Sequence, residues 1–484
     1  MHALRATGPV LRTISTAAAL AASAGPAAAA EASPHLVGPH LDGAHLGLVW
    51  TVPFFGLLLS IALLPLLAHR FWHDHHGKVA AAWAALFLVP FAYRHGLALA
   101  AAEVAATLLH EYLPFVILLL ALFVVAGGVR LTGRLSGRPA SNTALLAFGT
   151  LLASFAGTTG ASVLLIRPLI AANAARRRNV HVFVFFIFLV SNIGGALTPL
   201  GDPPLFLGFL AGVDFFWPTR HLLLPMLVLS GALLAIFFAL DTYLARRDGP
   251  APTLAAAGPL GLEGKLNLLL LLGVLGAVLM SGLWKPGIEV PILGVPVALE
   301  NLVRDVLLLA IAGLSLKITR ADIHQANGFS WFPIAEVAKL FAGLFITIVP
   351  AIAILRAGPD GALGPMLRVL EGPGGVPANG AYFWATGLIS SVLDNAPTYL
   401  MFFNLAGGDA AHLMGALAGT LAAISAGAVF MGANTYVGNA PNFMVKSICE
   451  ARGIKMPSFF GFILWSAAIL GPLYLVETFL FFAR

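Results

Sequence analysis

Long apolar runs separated by short polar loops dominate the chain from residue 46 onward. A helix needs about 20 mostly apolar residues to cross the hydrocarbon core of a membrane. By this length criterion the pattern predicts about ten transmembrane helices and an all-α polytopic membrane protein. The predicted spans lie near residues 46–68, 79–94, 113–131, 180–212, 222–245, 266–283, 300–317, 332–355, 411–445 and 457–482.

Two further apolar stretches, 141–175 and 379–405, are predicted to be re-entrant hairpins rather than spans. Lys and Arg collect in the cytoplasmic loops of membrane proteins. The arginine triplet 176–178 obeys this rule only if the first stretch enters and leaves the membrane on the same side. If the second stretch is also re-entrant, the basic residues within 446–455 lie in the cytoplasm.

Two polar interruptions are predicted to lie outside the membrane. Segment 95–112 contains Glu103, His110 and Glu111, and we expect an interfacial helix or a surface loop there. The run HDHH at 73–76 is a candidate metal-binding cluster, but its place at the end of a span predicts a solvated cytoplasmic loop. We assign no metal site beyond that of transported Na+.

The N-terminal segment has the features of a secretory signal peptide. It starts weakly basic and ends in a run of small residues, PAAAA, before Glu31. We predict a signal peptide at 1–30 and a periplasmic tail at 31–45. Together they imply a bacterial inner membrane protein whose mature N-terminus is periplasmic.

An internal repeat is the most specific signal in the chain. Residues 198–204 read TPLGDPP and residues 435–441 read TYVGNAP, an offset of 435 − 198 = 237. The same offset relates Ser154 in the first hairpin to Ser391 in the second. With the topology above, the two copies run in opposite directions through the membrane.

Each repeated motif places Gly and Pro within an apolar run, where they break the helix. Such breaks are tolerated in a membrane where they lie inside protein or line a wet cavity, and paired breaks point to a transporter site. Packing kinks alone would not explain why each break carries Thr with Asp or Asn. The predicted first half, 46–245, contains hairpin 141–175 and broken helix 180–212. A cytoplasmic linker at 246–265 follows. The predicted inverted second half, 266–484, contains hairpin 379–405 and broken helix 411–445.

Composition narrows the class of protein further. Of the 484 residues, 59% are hydrophobic and 10% are charged, whereas soluble domains carry about 25% charged residues. The net charge of +6 comes from basic residues in short loops, which predicts lipid rather than nucleic acid as the partner. A single cysteine, Cys449, excludes an internal disulfide framework. The sequence has no glycine-rich phosphate loop and no nucleophile–base pattern, so we predict neither an enzyme nor a bound cofactor.

Acidic residues inside apolar runs are functional candidates because a charge at membrane depth is costly. Asp202 lies in the first broken helix and Asp394 in the second hairpin, and both are predicted to bind the coupling ions Na+ and H+. Structural alternatives are an N-cap role for Asp202 and a hairpin-tip hydrogen bond for Asp394. Neutral oxygen ligands of the kind that hard cations prefer complete the predicted cation site: Thr198, Asn395, Thr435 and Asn439.

Hydroxyl, amide and guanidinium groups near the hairpins suit a small anionic substrate. The predicted substrate-binding residues are Thr158, Thr159, Ser162, Arg167, Ser391 and Asn434. Arg167, in the second arm of the first hairpin, either binds a substrate anion or pairs with a carboxylate. Gly194 and Gly195, which follow Asn192, are expected to permit close helix packing.

At SNIGGALTPLGDPP, SSVLDNAPTYL and GANTYVGNAPNF, the chain resembles the ion transporter superfamily over about residues 46–482. That group includes NhaD-type Na+/H+ antiporters, arsenite pumps, citrate–metal symporters and dicarboxylate transporters. The chain is also similar to the citrate-transporter-like (CitMHS-like) family. The resemblance implies that two re-entrant hairpins and two broken helices form the cation and substrate site. It also implies a homodimer with an elevator-like scaffold and transport domain.

Within the superfamily, Gly201-Asp202 and Asp394-Asn395 followed by Pro397 look most like the antiporters, whereas GTTGAS in the first hairpin departs from their pattern. We therefore expect secondary active transport. The first hypothesis is exchange of Na+ or Li+ for H+ at Asp202 and Asp394. The alternative is Na+- or H+-coupled symport of citrate or another carboxylate.

Overall fold

The computed structural model describes residues 41–133, 135–248, 261–372 and 375–483. The predicted signal peptide at 1–30, most of the predicted periplasmic tail and the middle of the predicted linker lie outside the described residues. The helices of the first half are α1 (Val52–Leu67), α2 (His69–His95), α3 (Leu97–Thr107), α4 (Leu113–Gly127), α5 (Pro139–Ala156), α6 (Thr158–Asn173), α7 (Val180–Leu189), α8 (Pro203–Leu210) and α9 (Trp217–Asp248).

The second half has a similar succession of helices. They are α10 (Lys265–Leu283), α11 (Leu299–Ile318), α12 (Ala321–Ala326), α13 (Phe332–Arg356), α14 (Gly364–Leu370), α15 (Asn379–Val392), α16 (Asn395–Leu405), α17 (Ala410–Met414), α18 (Ala418–Met431), α19 (Ala440–Ala451) and α20 (Phe459–Glu477). Two small antiparallel sheets complete the described part. Strand β1 (Arg130–Thr132) pairs with β2 (Gly261–Glu263), and β3 (Glu289–Ile292) pairs with β4 (Val295–Ala298).

The fold class is confirmed: the chain is an all-α polytopic membrane protein. Six helical segments of the described chain are long and apolar enough to cross a membrane, and two shorter apolar segments, Val180–Ala196 and Ala418–Asn434, lead into the helix breaks. The six are Leu48–Pro65, Leu97–Gly127, Trp217–Asp248, Lys265–Leu283, Phe332–Arg356 and Phe459–Phe482. Helices α2 and α11 correspond to the remaining predicted spans.

Segment 95–112 is helical from Leu97 onward, so the surface-loop alternative was wrong, while a position at the membrane interface stays a prediction. Helix α3 continues through a π-helical turn, Leu108–Tyr112, into α4, so the segment is part of one long apolar helix. Its polar side chains find partners in the second half: the Tyr112 hydroxyl donates to Ala338 O at 3.0 Å, and His110 Nε2 lies 2.9 Å from Pro296 O. These contacts allow polar residues within an apolar helix.

The prediction of a loop at 73–76 was also wrong. Helix α2 begins at His69, almost directly after α1, so the histidine run forms a helical turn. The His73 ring stacks on Phe332 of α13 at a centroid distance of 4.7 Å, and His76 is buried. The run therefore packs two helices together.

Each predicted hairpin stretch folds as two short helices joined at a tight connection. Gly157, with φ of +76°, separates α5 from α6, a conformation that side chains other than glycine rarely adopt. Leu393 and Asp394 separate α15 from α16. The re-entrant path of these hairpins and the opposite orientation of the two halves stay predictions.

The two broken helices occupy the centre of the protein. Helix α7 is buried on all sides, with every residue from Val182 to Val190 fully shielded, and α18 is buried from Thr420 to Met431. A helix that is apolar all round belongs in an interior. After α7 and α18, a short 3-10 turn and an irregular segment lead into α8 and α19 respectively. Helix α19 extends to Ala451, beyond the predicted end of the broken helix at 445.

Candidate functional site

Four helices begin around one buried carboxylate. Asp202 precedes α8 and Asn439 precedes α19, while Thr158 and Asn395 are the first residues of α6 and α16. Asp202 occupies the N-cap position of α8, but its side chain makes no capping hydrogen bond. Because prolines fill the first two positions of α8, no N–H is available there, and the carboxylate is free to turn towards the other three elements.

Each of the other three elements donates a hydrogen bond to Asp202, which is 1% exposed. Thr158 Oγ1 donates to Oδ1 at 2.9 Å, and Asn439 Nδ2 donates to the same oxygen at 3.0 Å. Asn395 Nδ2 donates to Oδ2 at 2.5 Å. Both hairpin tips and both helix breaks thus meet at a single carboxylate, which we call the Asp202 cluster: Thr158, Asp202, Asn395 and Asn439.

The Asp202 cluster obeys the offset of the internal repeat. Thr158 and Asn395 differ by 395 − 158 = 237, and Asp202 and Asn439 differ by 439 − 202 = 237. The two halves therefore contribute equivalent positions with different chemistry, because the first half supplies the acid and the second supplies two amides. This agreement between geometry and offset supports the predicted repeat.

The electrostatic setting favours a negative charge without neutralising it. The positive ends of α6, α8, α16 and α19 converge on the cluster. Among the described residues, no cationic side chain pairs with Asp202, and Asp394 is close enough to repel it. A buried carboxylate whose hydrogen-bond donors are all neutral still has the capacity to take up a cation or a proton.

One amide oxygen of the Asp202 cluster lacks a hydrogen-bond partner among the described residues. Asn395 is fully buried, and its Oδ1 has no hydrogen-bond partner among the described residues. A buried acceptor without a donor is costly. Together with Asp202 it offers a hard cation the carboxylate and carbonyl oxygens that such ions prefer.

The predicted cation ligands Thr198 and Thr435 tie each helix break to the neighbouring hairpin. Thr198 Oγ1 donates to Ser154 O, and Thr435 Oγ1 donates to Ser391 O. The Thr435 hydroxyl also accepts from Val437 N at 3.2 Å and from Gly438 N at 3.1 Å, so all of its hydrogen-bonding capacity is used. The two threonines hold the backbone, and Asp202 is bonded by other groups.

The remaining predicted substrate residues lie around this centre rather than in it. Ser162 Oγ lies 2.9 Å from Ser191 Oγ, and Ser391 Oγ accepts from Asn434 Nδ2 at 2.8 Å. Thr159 is half-buried outside the network. Asp394, also half-buried, sits at the N-cap of α16 without a capping side-chain bond. Arg167 lies farther along α6, beside a separate cavity.

Two amides that the sequence analysis did not assign to the site connect the halves. Asn192 Nδ2 donates to Asn442 Oδ1 at 2.7 Å, and also lies 2.8 Å from Ile187 O. Asn442 Nδ2 bonds Gly432 O and Thr435 O, both at 2.8 Å. They satisfy carbonyl groups freed by the breaks, as a membrane interior requires. Both asparagines were visible in the sequence, within the SNIGG and GNAPN motifs. Neither Asn192 nor Asn442 has an asparagine at the equivalent position of the other half, so the repeat did not single them out.

Another buried carboxylate, Asp241 on α9, was also missed. It is fully buried and pairs with Arg176 Nη2 at 2.5 Å and His181 Nε2 at 2.8 Å. Asn142 Nδ2 donates to it at 3.0 Å, and Asn142 and Asn173 bond each other. These residues join the base of the first hairpin to α7 and α9. An acid within the apolar run of α9 was the available signal.

Glycines allow the backbone of each break to fold on itself. A Cβ added at Gly438 would lie 2.6 Å from Gly432 O and 2.8 Å from Ser390 O, so backbone atoms would have to move. We expect Gly438→Ala to destabilise the protein by about 1–3 kcal/mol through overpacking. The measurement is the midpoint of thermal unfolding in detergent.

Gly276→Ala is the matched control for that substitution. Gly276 lies in α10 with no atom within 4 Å of an added Cβ, so alanine there should be neutral or stabilising by about 0.5–1 kcal/mol. Wild-type stability of Gly438→Ala would contradict the close backbone contact at the second break.

The chain is similar in sequence to known transporters. The sequence profile of a family described as "Putative citrate transport" matches residues 43–482, which includes both hairpins and both breaks. An uncharacterized transporter from Mycobacterium bovis is 26% identical over 358 residues, covering 70% of this chain and 78% of the relative. An uncharacterized transporter from Mycobacterium tuberculosis shows the same identity and coverage.

Proposed function

The chain belongs to this citrate transport family, and we propose that it couples the movement of a small carboxylate, with citrate as the first candidate, to the binding of Na+ or H+ at Asp202. The protein is a membrane transporter by family and by its apolar helices. The coupling ion and the substrate are the parts that we propose.

One observation carries the proposal: a buried carboxylate held by three neutral donors, one from each of the other three elements of the site. A cation or proton at Asp202 would change the charge at the point where both hairpins and both breaks meet. Its binding would therefore alter the packing of all four elements together. A ligand shifts a conformational equilibrium by its difference in affinity between the states, and this junction is where such a difference can arise.

The substrate half of the proposal rests on the family and on Arg167. The family description names citrate, a multiply charged carboxylate. Arg167 supplies a guanidinium group, the side chain best suited to bind carboxylates with two parallel hydrogen bonds. Its Nη1 has no hydrogen-bond partner among the described residues.

Exchange of Na+ for H+ is a second candidate function, favoured by one specific observation. Asp394 directly precedes Asn395, whose side chain donates to Asp202, so the two carboxylates are close enough to repel each other. Two nearby carboxylates that compete for Na+ and protons would suffice for exchange without an organic substrate.

The test is uptake by the purified protein in liposomes. We expect labelled citrate to accumulate when an inward Na+ or proton gradient is imposed, because the coupling ion moves downhill. Equal ion concentrations on both sides are the control and should abolish accumulation. No accumulation of citrate or of other di- and tricarboxylates under either gradient would contradict the proposal.

The same liposomes test the second candidate. With an acidic interior and a pH-sensitive dye inside, NaCl, LiCl or KCl is added outside in the absence of carboxylate. Cation-specific loss of the pH gradient would favour exchange. A response that requires citrate would favour symport.

A further inference from the structure

We propose that the cavity beside Arg167 is a binding subsite for a small carboxylate, separate from the Asp202 cluster. The inference rests on the proposed function, because it locates the substrate that the transporter carries. The cavity lies where the second arm of the first hairpin meets α4, α19 and the segment 327–333.

The cavity is large enough for a small polyanion. Its volume is about 160 Å³, whereas one water molecule occupies about 30 Å³. Apolar side chains form much of the wall, including Phe123 of α4 and Met444 of α19. Such a site, mostly apolar with a few polar groups that fix orientation, is typical of small-molecule binding.

Arg167 supplies the charge that a carboxylate would meet. Its Nη1 is shielded from solvent and has no hydrogen-bond partner in the described part of the chain. The residue as a whole is half-buried, and an anion that bonds the shielded Nη1 would satisfy a donor that is otherwise unpaired. Arg452 adds a second positive charge near enough to repel the guanidinium group of Arg167. Arg167 is the only charged side chain among the described residues that line the cavity, so the cavity is electropositive.

The wall facing Arg167 is fixed in place. Asn327 Nδ2 bonds Gly127 O at 2.9 Å and Val129 O at 2.7 Å, which ties the segment to the end of α4. Gly328 has φ of +59°, and an added Cβ would lie 2.5 Å from Nη2 of Arg167. The positive φ favours glycine at this position, and a larger residue would displace the end of the Arg167 side chain. The Phe329 ring lies against Phe123 in a tilted arrangement, with ring centroids 5.2 Å apart, and closes the apolar side.

The subsite shares two helices with the Asp202 cluster. Helix α6 begins with Thr158 and reaches Arg167 nine residues later (167 − 158), roughly 14 Å along the axis. Helix α19 follows Asn439 and carries Met444 and Ile448 on the cavity wall. A cation that draws Thr158 and Asn439 together at Asp202 would also set the spacing of two walls of the cavity. Coupling between cation and carboxylate then follows from shared elements.

Transport kinetics provide the first test. Arg167→Gln should raise the KM for citrate at least about tenfold, since a charge-assisted contact is lost. Arg220→Gln, which removes an exposed arginine at the start of α9, should leave KM unchanged. Arg167→Lys keeps the charge and should recover part of the affinity. An unchanged KM in Arg167→Gln would overturn the subsite, while citrate uptake by that variant would still uphold the proposed function.

Cysteine labelling tests binding without transport. Ser330 lines the cavity and is exposed, whereas the natural Cys449 is buried. In a Cys449→Ala background, citrate should slow maleimide labelling of Ser330→Cys several-fold, and adding Arg167→Gln should remove this protection. Protection in a protein that transports neither citrate nor other di- and tricarboxylates would support the subsite and overturn the proposed function. Absence of protection by citrate, or protection by phosphatidylglycerol instead, would overturn the subsite.

Discussion

Asp202→Asn is expected to lower ion-driven citrate uptake at least about 100-fold in liposomes while the protein stays folded. Removing one partner of a buried ion pair costs about 3–5 kcal/mol, and about 3 kcal/mol corresponds to a hundredfold loss of cation affinity. Asparagine has nearly the same shape as aspartate but cannot bind Na+ with a full charge or release a proton. The loss should therefore appear in coupling, as uptake that no longer responds to the imposed gradient.

Stability should respond very differently from transport in this variant. Asp202 has no cationic partner among the described residues, so its neutralisation leaves no opposite charge stranded. Rotation of the Asn395 amide would present its unpartnered Oδ1 to the new NH2 group. We expect the free energy of unfolding to change by about 1 kcal/mol or less, the value of one neutral hydrogen bond.

Asp214→Asn is the matched control for the loss of charge. Asp214 is an exposed aspartate in the connection between α8 and α9, close in sequence to Asp202 but outside the network. It should retain wild-type uptake and wild-type stability. Gradient-dependent uptake by Asp202→Asn at the wild-type rate would remove Asp202 from the coupling site.

The repeat made the centre of the site predictable. Two similar motifs at a constant offset indicated that Asp202 and Asn439 lie in equivalent helix breaks, and Asn395 was predicted as a ligand from the second hairpin. The structure places all three side chains within hydrogen-bond distance. The offset could not tell which oxygens face the ion. Thr198 and Thr435 fit the same pattern, yet their hydroxyls bond backbone atoms, a distinction that depends on side-chain direction.

The internal repeat does not predict which residues of the two halves contact each other. The Asn192–Asn442 bond joins positions whose counterparts at the offset are Val429 and Leu205, so symmetry gives no indication of it. Polarity along the chain could not decide between a helix and a loop at 95–112. The structure forms a helix there, and carbonyl groups of the second half bond His110 and Tyr112, contacts that no local pattern in the sequence indicates.

Asp241→Ala is expected to destabilise the protein by about 3–5 kcal/mol, the largest stability loss of the substitutions considered. The substitution would leave Arg176, whose side chain is 7% exposed, and the buried His181 without their shared carboxylate. It would also remove the acceptor of Asn142 at the hairpin base. The measurement is the thermal midpoint of the monodisperse fraction in detergent, together with the yield of folded protein.

Asp248→Ala is the natural comparison, because Asp248 lies on the same helix and pairs with an arginine of the same loop, Arg178, at 2.9 Å. Arg178 is half exposed, so water replaces the lost partner and the expected cost is about 1 kcal/mol or less. If Asp241→Ala behaved like Asp248→Ala, the Asp241 pair would not hold the hairpin base.

Removing both Asp241 and Arg176 distinguishes two causes of destabilisation: an arginine left buried without its partner, and the loss of the contact itself. When a buried ion pair is replaced as a whole by apolar groups, the change is often neutral or stabilising, whereas removing one member is costly. Asp241→Ala combined with Arg176→Met should therefore be more stable than Asp241→Ala alone. Measuring Arg176→Met by itself completes the double-mutant cycle that gives the coupling energy of the pair. Since the hairpin base carries no part of the Asp202 cluster, the double variant should also keep a measurable gradient-driven uptake. Full stability with no uptake would instead assign Asp241 to the transport pathway.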